Sequence, residues 1–102
     1  MGIKDLLQLT VDREASDLHI LSGIPPYIRV EGQLSYVPGE SPLTSETLEK
    51  YAKEVLSTEQ LERLTVNKEI DLSLPFSQLA RFRVNAYTQK GTLPIAFRRI
   101  PL

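Results

Sequence analysis

The sequence predicts an α+β domain with a mainly antiparallel sheet of about six strands and about three helices. Three observations predict it. The 102 residues suffice for one modest core. With 41% apolar and 25% charged residues the chain has a globular rather than a disordered composition. Finally, the hydrophobic period runs helix, strands, helices, strands, which is not the alternation of βαβ units.

Ile3, Leu6, Leu7 and Val11 recur at helical spacing and predict an amphipathic helix over about residues 2–13. Asp17–Leu21 reads as a short strand. Gly23-Ile24-Pro25-Pro26 ends it, because neither proline can donate to a ladder. Tyr27–Val30 and Gln33–Val37 flank Glu31-Gly32, a hairpin in which Gly32 supplies the positive φ of a tight turn. A loop over Pro38–Pro42 follows. Thr44 or Ser45 caps a helix with the apolar stripe Leu48, Tyr51, Ala52, Val55 and Leu56. Ser57 and Gln60 have capping-box spacing, so a further helix starts there and turns Leu61 and Leu64 inward. Ile70, Leu72, Leu74 and Phe76 then alternate with polar residues and Pro75. Phe82, Val84 and Ala86 alternate with Arg81, Arg83, Asn85 and Tyr87. Lys90-Gly91 marks a turn, and Leu93–Arg99 is the last strand. The tyrosines and phenylalanines fall at strand and helix positions read as core rather than as a base-stacking platform.

The last hairpin carries the strongest chemical signal. A two-residue turn at Lys90-Gly91 sets Arg98 across from Arg83 and Phe97 across from Val84. Phe82, Val84, Ile95 and Phe97 then share one face, and Arg81, Arg83 and Arg98 share the other. A slip of one residue would mix the two sets. Facing like charges are unfavourable in a sheet, so something offsets them. A bound anion suited to guanidinium forks is one candidate. A solvated face in which Asp71 or another carboxylate pairs with Arg83 is the other.

Other chemistries have less support. His19 is the single histidine and lies two residues from Asp17 on one strand face, with no serine or cysteine nucleophile nearby in sequence. A structural role fits it better than a triad, and Asp17 can pair with it or bond local amides. The five glycines build neither a G-x-x-x-x-G-K-[ST] loop nor a G-x-G-x-x-G turn, and no metal-ligand spacing occurs. The absence of cysteine excludes disulfides and thiolate chemistry. A net charge of −1 speaks against a nucleic-acid binder. No apolar run approaches the roughly 20 residues of a membrane helix.

Ala15-Ser16-Asp17-Leu18-His19-Ile20, the stretch from Gly23 to Leu34, Ala80-Arg81-Phe82-Arg83-Val84-Asn85-Ala86-Tyr87 and Phe97-Arg98-Arg99-Ile100-Pro101 occur in one order. Together they resemble the N-terminal domain of PilT-like type IV pilus retraction ATPases, within the wider PilT and GspE secretion ATPase superfamily. Glu31, where that family often has aspartate, and Lys90, where arginine is common, are mild departures. The resemblance implies a PAS-like domain over residues 1–100 and the start of a linker at 101–102. It implies an absent RecA-like ATPase domain that carries the Walker motifs, ATP and Mg2+, so no cofactor and no hydrolysis belong to this stretch itself. It further implies a cytoplasmic homohexamer at the pilus base, near the inner face of the membrane, that drives twitching motility. In such a ring each N-terminal domain packs on its own and the adjacent subunit's ATPase domain. It implies that Arg81 and Arg98, then Arg83, sense nucleotide phosphate, while Asp17, His19, Gly32 and Asn85 are structural motif residues.

Three other readings stay open. A pilus-extension or type II secretion ATPase would share the domain. A free-standing PAS-like sensor would need an internal cavity with polar groups. A nucleic-acid binder would use the arginine face and show salt-dependent affinity.

Overall fold

A computed structural model describes residues 1–78 and 80–101. It has three helices, α1 (Ile3–Asp12), α2 (Ser45–Val55) and α3 (Thr58–Asn67). Six strands form one sheet: β1 (Asp17–Ile20), β2 (Tyr27–Val30), β3 (Gln33–Tyr36), β4 (Glu69–Pro75), β5 (Ala80–Tyr87) and β6 (Ile95–Pro101). Their order is β3-β2-β1-β6-β5-β4, with every neighbouring pair antiparallel. The α+β class and both element counts match those predicted from the sequence.

Local chemistry accounts for the element ends. The Gly2 amide donates to Asp5 Oδ2 at 3.0 Å and satisfies one free donor of α1. The Thr47 amide donates to Thr44 Oγ1 at 3.2 Å and starts α2. Ser57 and Gln60 bond reciprocally, at 2.9 and 3.2 Å, as the capping-box spacing predicts. At the β2–β3 turn Glu31 and Gly32 both have positive φ, 50° and 80°; at the β5–β6 turn Lys90 and Gly91 have 43° and 81°. Two successive positive φ values match the right-handed twist of paired strands.

The helices cover one side of the sheet. Leu18, Ile28, Phe82, Val84 and Phe97 are 1% exposed or less and pack with Ile3, Leu6, Leu7 and Leu48 of the helices. Phe82 meets Phe97 edge-on, centroids 6.3 Å apart. Fully burying one such side chain contributes about 1.5–3 kcal/mol, which fixes the strand registers.

Three expectations need correction. The last strand is shifted, starting at Ile95 and pairing through Pro101, so pairing reaches the residue at which the linker is expected to begin; Leu102 lies outside the described residues. Proline is tolerated there because a strand end need not donate. The tyrosines are not uniformly core. Tyr51 is 5% exposed, but Tyr36 and Tyr87 are 58% and 41% exposed. Tyr36 opposes Tyr27, which opposes His19, so strand parity sends all three to the uncovered side. In α3 only Leu64 is buried, while Leu61 is half-buried.

Candidate functional site

The uncovered side of the sheet carries the charged residues. Leu18 faces Phe97 across β1 and β6 on the helix side, so their neighbours Asp17 and Arg98 face each other on the bare side. Arg29 of β2 lies across from Asp17, and Arg83 of β5 across from Arg98. One row therefore reads Arg29, Asp17, Arg98, Arg83, with Asp71 of β4 diagonal to its end.

Carboxylates offset the like charges. Asp17 is 7% exposed. Its Oδ1 accepts from Arg98 Nε at 3.1 Å, and its Oδ2 accepts from Ser16 Oγ at 2.8 Å and pairs with Arg29 Nε at 3.5 Å. Arg83 donates through Nε and Nη2 to the two oxygens of Asp71, both at 3.1 Å. Of the two alternatives, Arg83 thus takes the solvated, carboxylate-paired one. Arg81 donates Nε and Nη2 to Ser73 Oγ at 3.3 and 3.0 Å.

Burial alone would raise the Asp17 pKa, but the Ser16 hydroxyl and Arg98 outweigh it and hold the carboxyl below its usual range. Asp71 is also lowered, first by its hydrogen bonds from Arg83. Burial pulls His19 down; Asp17 draws it up, and Arg29 and Arg98 press it down again, leaving it below its ordinary value. The ring stacks on Tyr27, centroids 4.9 Å apart and planes 14° apart. Asp17 spends its oxygens on Ser16 and the arginines, so an Asp–His bonded pair gives way to stacking.

Among the predicted residues, Asp17, His19, Arg83, Asn85 and Arg98 line one cleft of about 260 Å³. Arg81 stands further along β5, and Gly32 sits in the β2–β3 turn. Sequence reasoning missed Arg29 as a member of the row. Its signal was its parity with Tyr27 on a strand whose other residues, Ile28 and Val30, are apolar. Ser16, Asp17, His19, Arg29 and Arg98 line a second cleft of about 390 Å³. Exposed guanidinium edges above a buried carboxylate suit a phosphate-like anion. Among the described residues no three His, Cys, Asp or Glu side chains gather to hold a metal ion. No helix there is long and apolar enough to cross a membrane.

No family model matches the chain. It is 34% identical over 99% of its length to the type IV pilus retractation ATPase PilT of Pseudomonas aeruginosa, and 31% identical over 98% to the type IV pilus ATPase PilU of that organism. It spans only 29% and 26% of those two proteins. The crystal structure of the pilus retraction motor PilT with bound ADP superposes with a TM-score of 0.89 at 27% identity, over 99% of this chain and 29% of that one. The ATPase DotB of Legionella pneumophila gives 0.78 at 26% identity, over 97% of this chain and 28% of that one.

Proposed function

We propose that this chain, homologous along nearly its whole length to the N-terminal region of PilT and PilU, is the regulatory and structural N-terminal domain of a pilus retraction motor. The parent is then a cytoplasmic, hexameric ATPase at the inner face of the membrane. Its ATPase domain brings ATP and Mg2+, and this domain hydrolyses nothing alone. The uncovered sheet face packs on the ATPase domain of the neighbouring subunit and lends arginines to the nucleotide cleft. A guanidinium at a transferring phosphate offsets the charge that develops there.

The observation that carries this reading is Arg98. Its side chain is 74% exposed, and it is bonded to Asp17 through Nε. The Nη nitrogens lie beyond that bond and suit a phosphate. Arg83 suits the task less, because Nη2 is already given to Asp71. The DotB similarity favours a second reading, the same domain in a secretion ATPase. The higher TM-score with PilT favours the pilus motor.

The test is a mixture of this chain with its separately produced ATPase domain, assayed for ATP turnover. Turnover is expected to rise, and Arg98→Ala is expected to reduce the stimulated rate on the order of a hundredfold. Full stimulation by the variant removes Arg98 from the cleft. The absence of both stimulation and association rejects the packing of this face on an ATPase domain.

A further inference from the structure

The arginines of the row differ in how they are held. Arg83 is held through Nε and Nη2 together, so one full edge of its guanidinium is consumed by Asp71. Asp17 accepts a hydrogen bond from Arg98 Nε at 3.1 Å and forms an ion pair with Arg29 Nε at 3.5 Å. Nε is the inboard nitrogen, so fixing it orders most of the side chain while the outer Nη nitrogens stay beyond the contact. Arg29 Nη1 reaches the Gly32 carbonyl at 3.5 Å, which also ties that arm to the β2–β3 turn.

The carboxylate is itself held by its neighbours. It sits on β1, inside the sheet, and the Ser16 hydroxyl fixes one of its oxygens. Ser16 is locked in turn, since its amide donates to the Arg29 carbonyl at 2.8 Å and its carbonyl accepts from the Arg99 amide at 2.9 Å.

We infer that Asp17 is a positioning residue that aims Arg98 and Arg29 at one polyphosphate group in the cleft they share. The inference rests on the phosphate-facing role proposed above. It carries a sign that charge alone does not. Asp17 is negative and adjacent to the expected anion, so by charge its removal strengthens anion binding. By positioning, its removal weakens binding, because two long side chains must then be ordered by the ligand. Each costs about 0.5–1.5 kcal/mol to immobilise, so the two together convert to a loss of about fivefold to 150-fold.

The experiment titrates inorganic tripolyphosphate into this chain and its Asp17→Asn form, following the Nε–H signals of the arginines by NMR. In the parent chain the Arg98 and Arg29 signals are expected to move together on one isotherm. The variant is expected to bind about fivefold to 150-fold more weakly. Equal or tighter binding by Asp17→Asn overturns the positioning role and leaves the phosphate role standing. No response by the parent chain overturns the phosphate role, and the positioning role with it. If the amide spectrum shows that Asp17→Asn does not fold, Ser16→Ala replaces it. That change frees one carboxylate oxygen and is expected to weaken binding in the same direction, whereas unchanged or tighter binding overturns the inference.

Discussion

Replacing Phe97 by alanine tests whether the core and the charged row share one register. Phe97 has no exposure, lies across from Leu18 on one side and Val84 on the other, and meets Phe82 edge-on. Its successor, Arg98, stands in the row on the opposite side of the sheet. Truncation of a buried phenylalanine costs about 3–5 kcal/mol, from lost transfer energy and the cavity left behind. A domain of this size holds roughly 5–15 kcal/mol, so the loss is a large share of the total. With a urea dependence of about 1.5 kcal/mol per molar, the unfolding midpoint falls by about 2–3 M. Urea titration followed by circular dichroism measures it. A midpoint drop under about 0.7 M, near 1 kcal/mol, would refute the packing described for β6. Phe97→Leu, which keeps most of the volume, is expected to recover much of the loss.

Acid should destabilise the fold in two windows. His19 lies below its ordinary 6.5, so the unfolded chain takes up its proton first and stability falls as pH drops below about 6.5. Asp17 lies below its ordinary 3.8, so its contribution is full above that value and is lost as pH falls through its lower folded pKa. Melting curves across pH 2–8 would show both losses, and His19→Phe should remove only the upper one. Glu31 and Lys90 adopt positive φ ahead of a glycine, a position that asparagine tolerates better. Glu31→Asn and Lys90→Asn should each raise the melting temperature by a few degrees, and calorimetry showing a fall would contradict the assigned turns.

Local patterns made much of the fold legible. The Lys90-Gly91 turn located the Arg83–Arg98 pairing correctly because a two-residue loop leaves one register for its strands. The separation of Arg81, Arg83 and Arg98 from Phe82, Val84 and Phe97 followed from strand parity. Long-range adjacency was less accessible. Asp17 and Arg98 are 81 residues apart, and nothing near either announces that β1 lies against β6. Without that pairing Asp17 looked like a partner for His19, and Arg29 looked like an ordinary strand residue. The tyrosines misled for a related reason. A tyrosine suits a buried or an open face, so only strand order decides which side Tyr27 and Tyr36 take.

The position of β1 beside β6 has a consequence during synthesis. Residues 17–36 can form their three strands locally, and residues 69–87 can pair as a hairpin, but within the sheet Ile95–Pro101 is the strand that joins these pieces. Until that segment leaves the ribosome, β1 and β5 each present an unpaired edge, and Leu18 and Val84 lack the phenylalanine that lies between them. Closure is therefore a late, long-range event, slower than either local pairing. A nascent chain stalled before Ile95 would offer two half-sheets suited to joining other chains, and the last strand to emerge is the one that seals both edges.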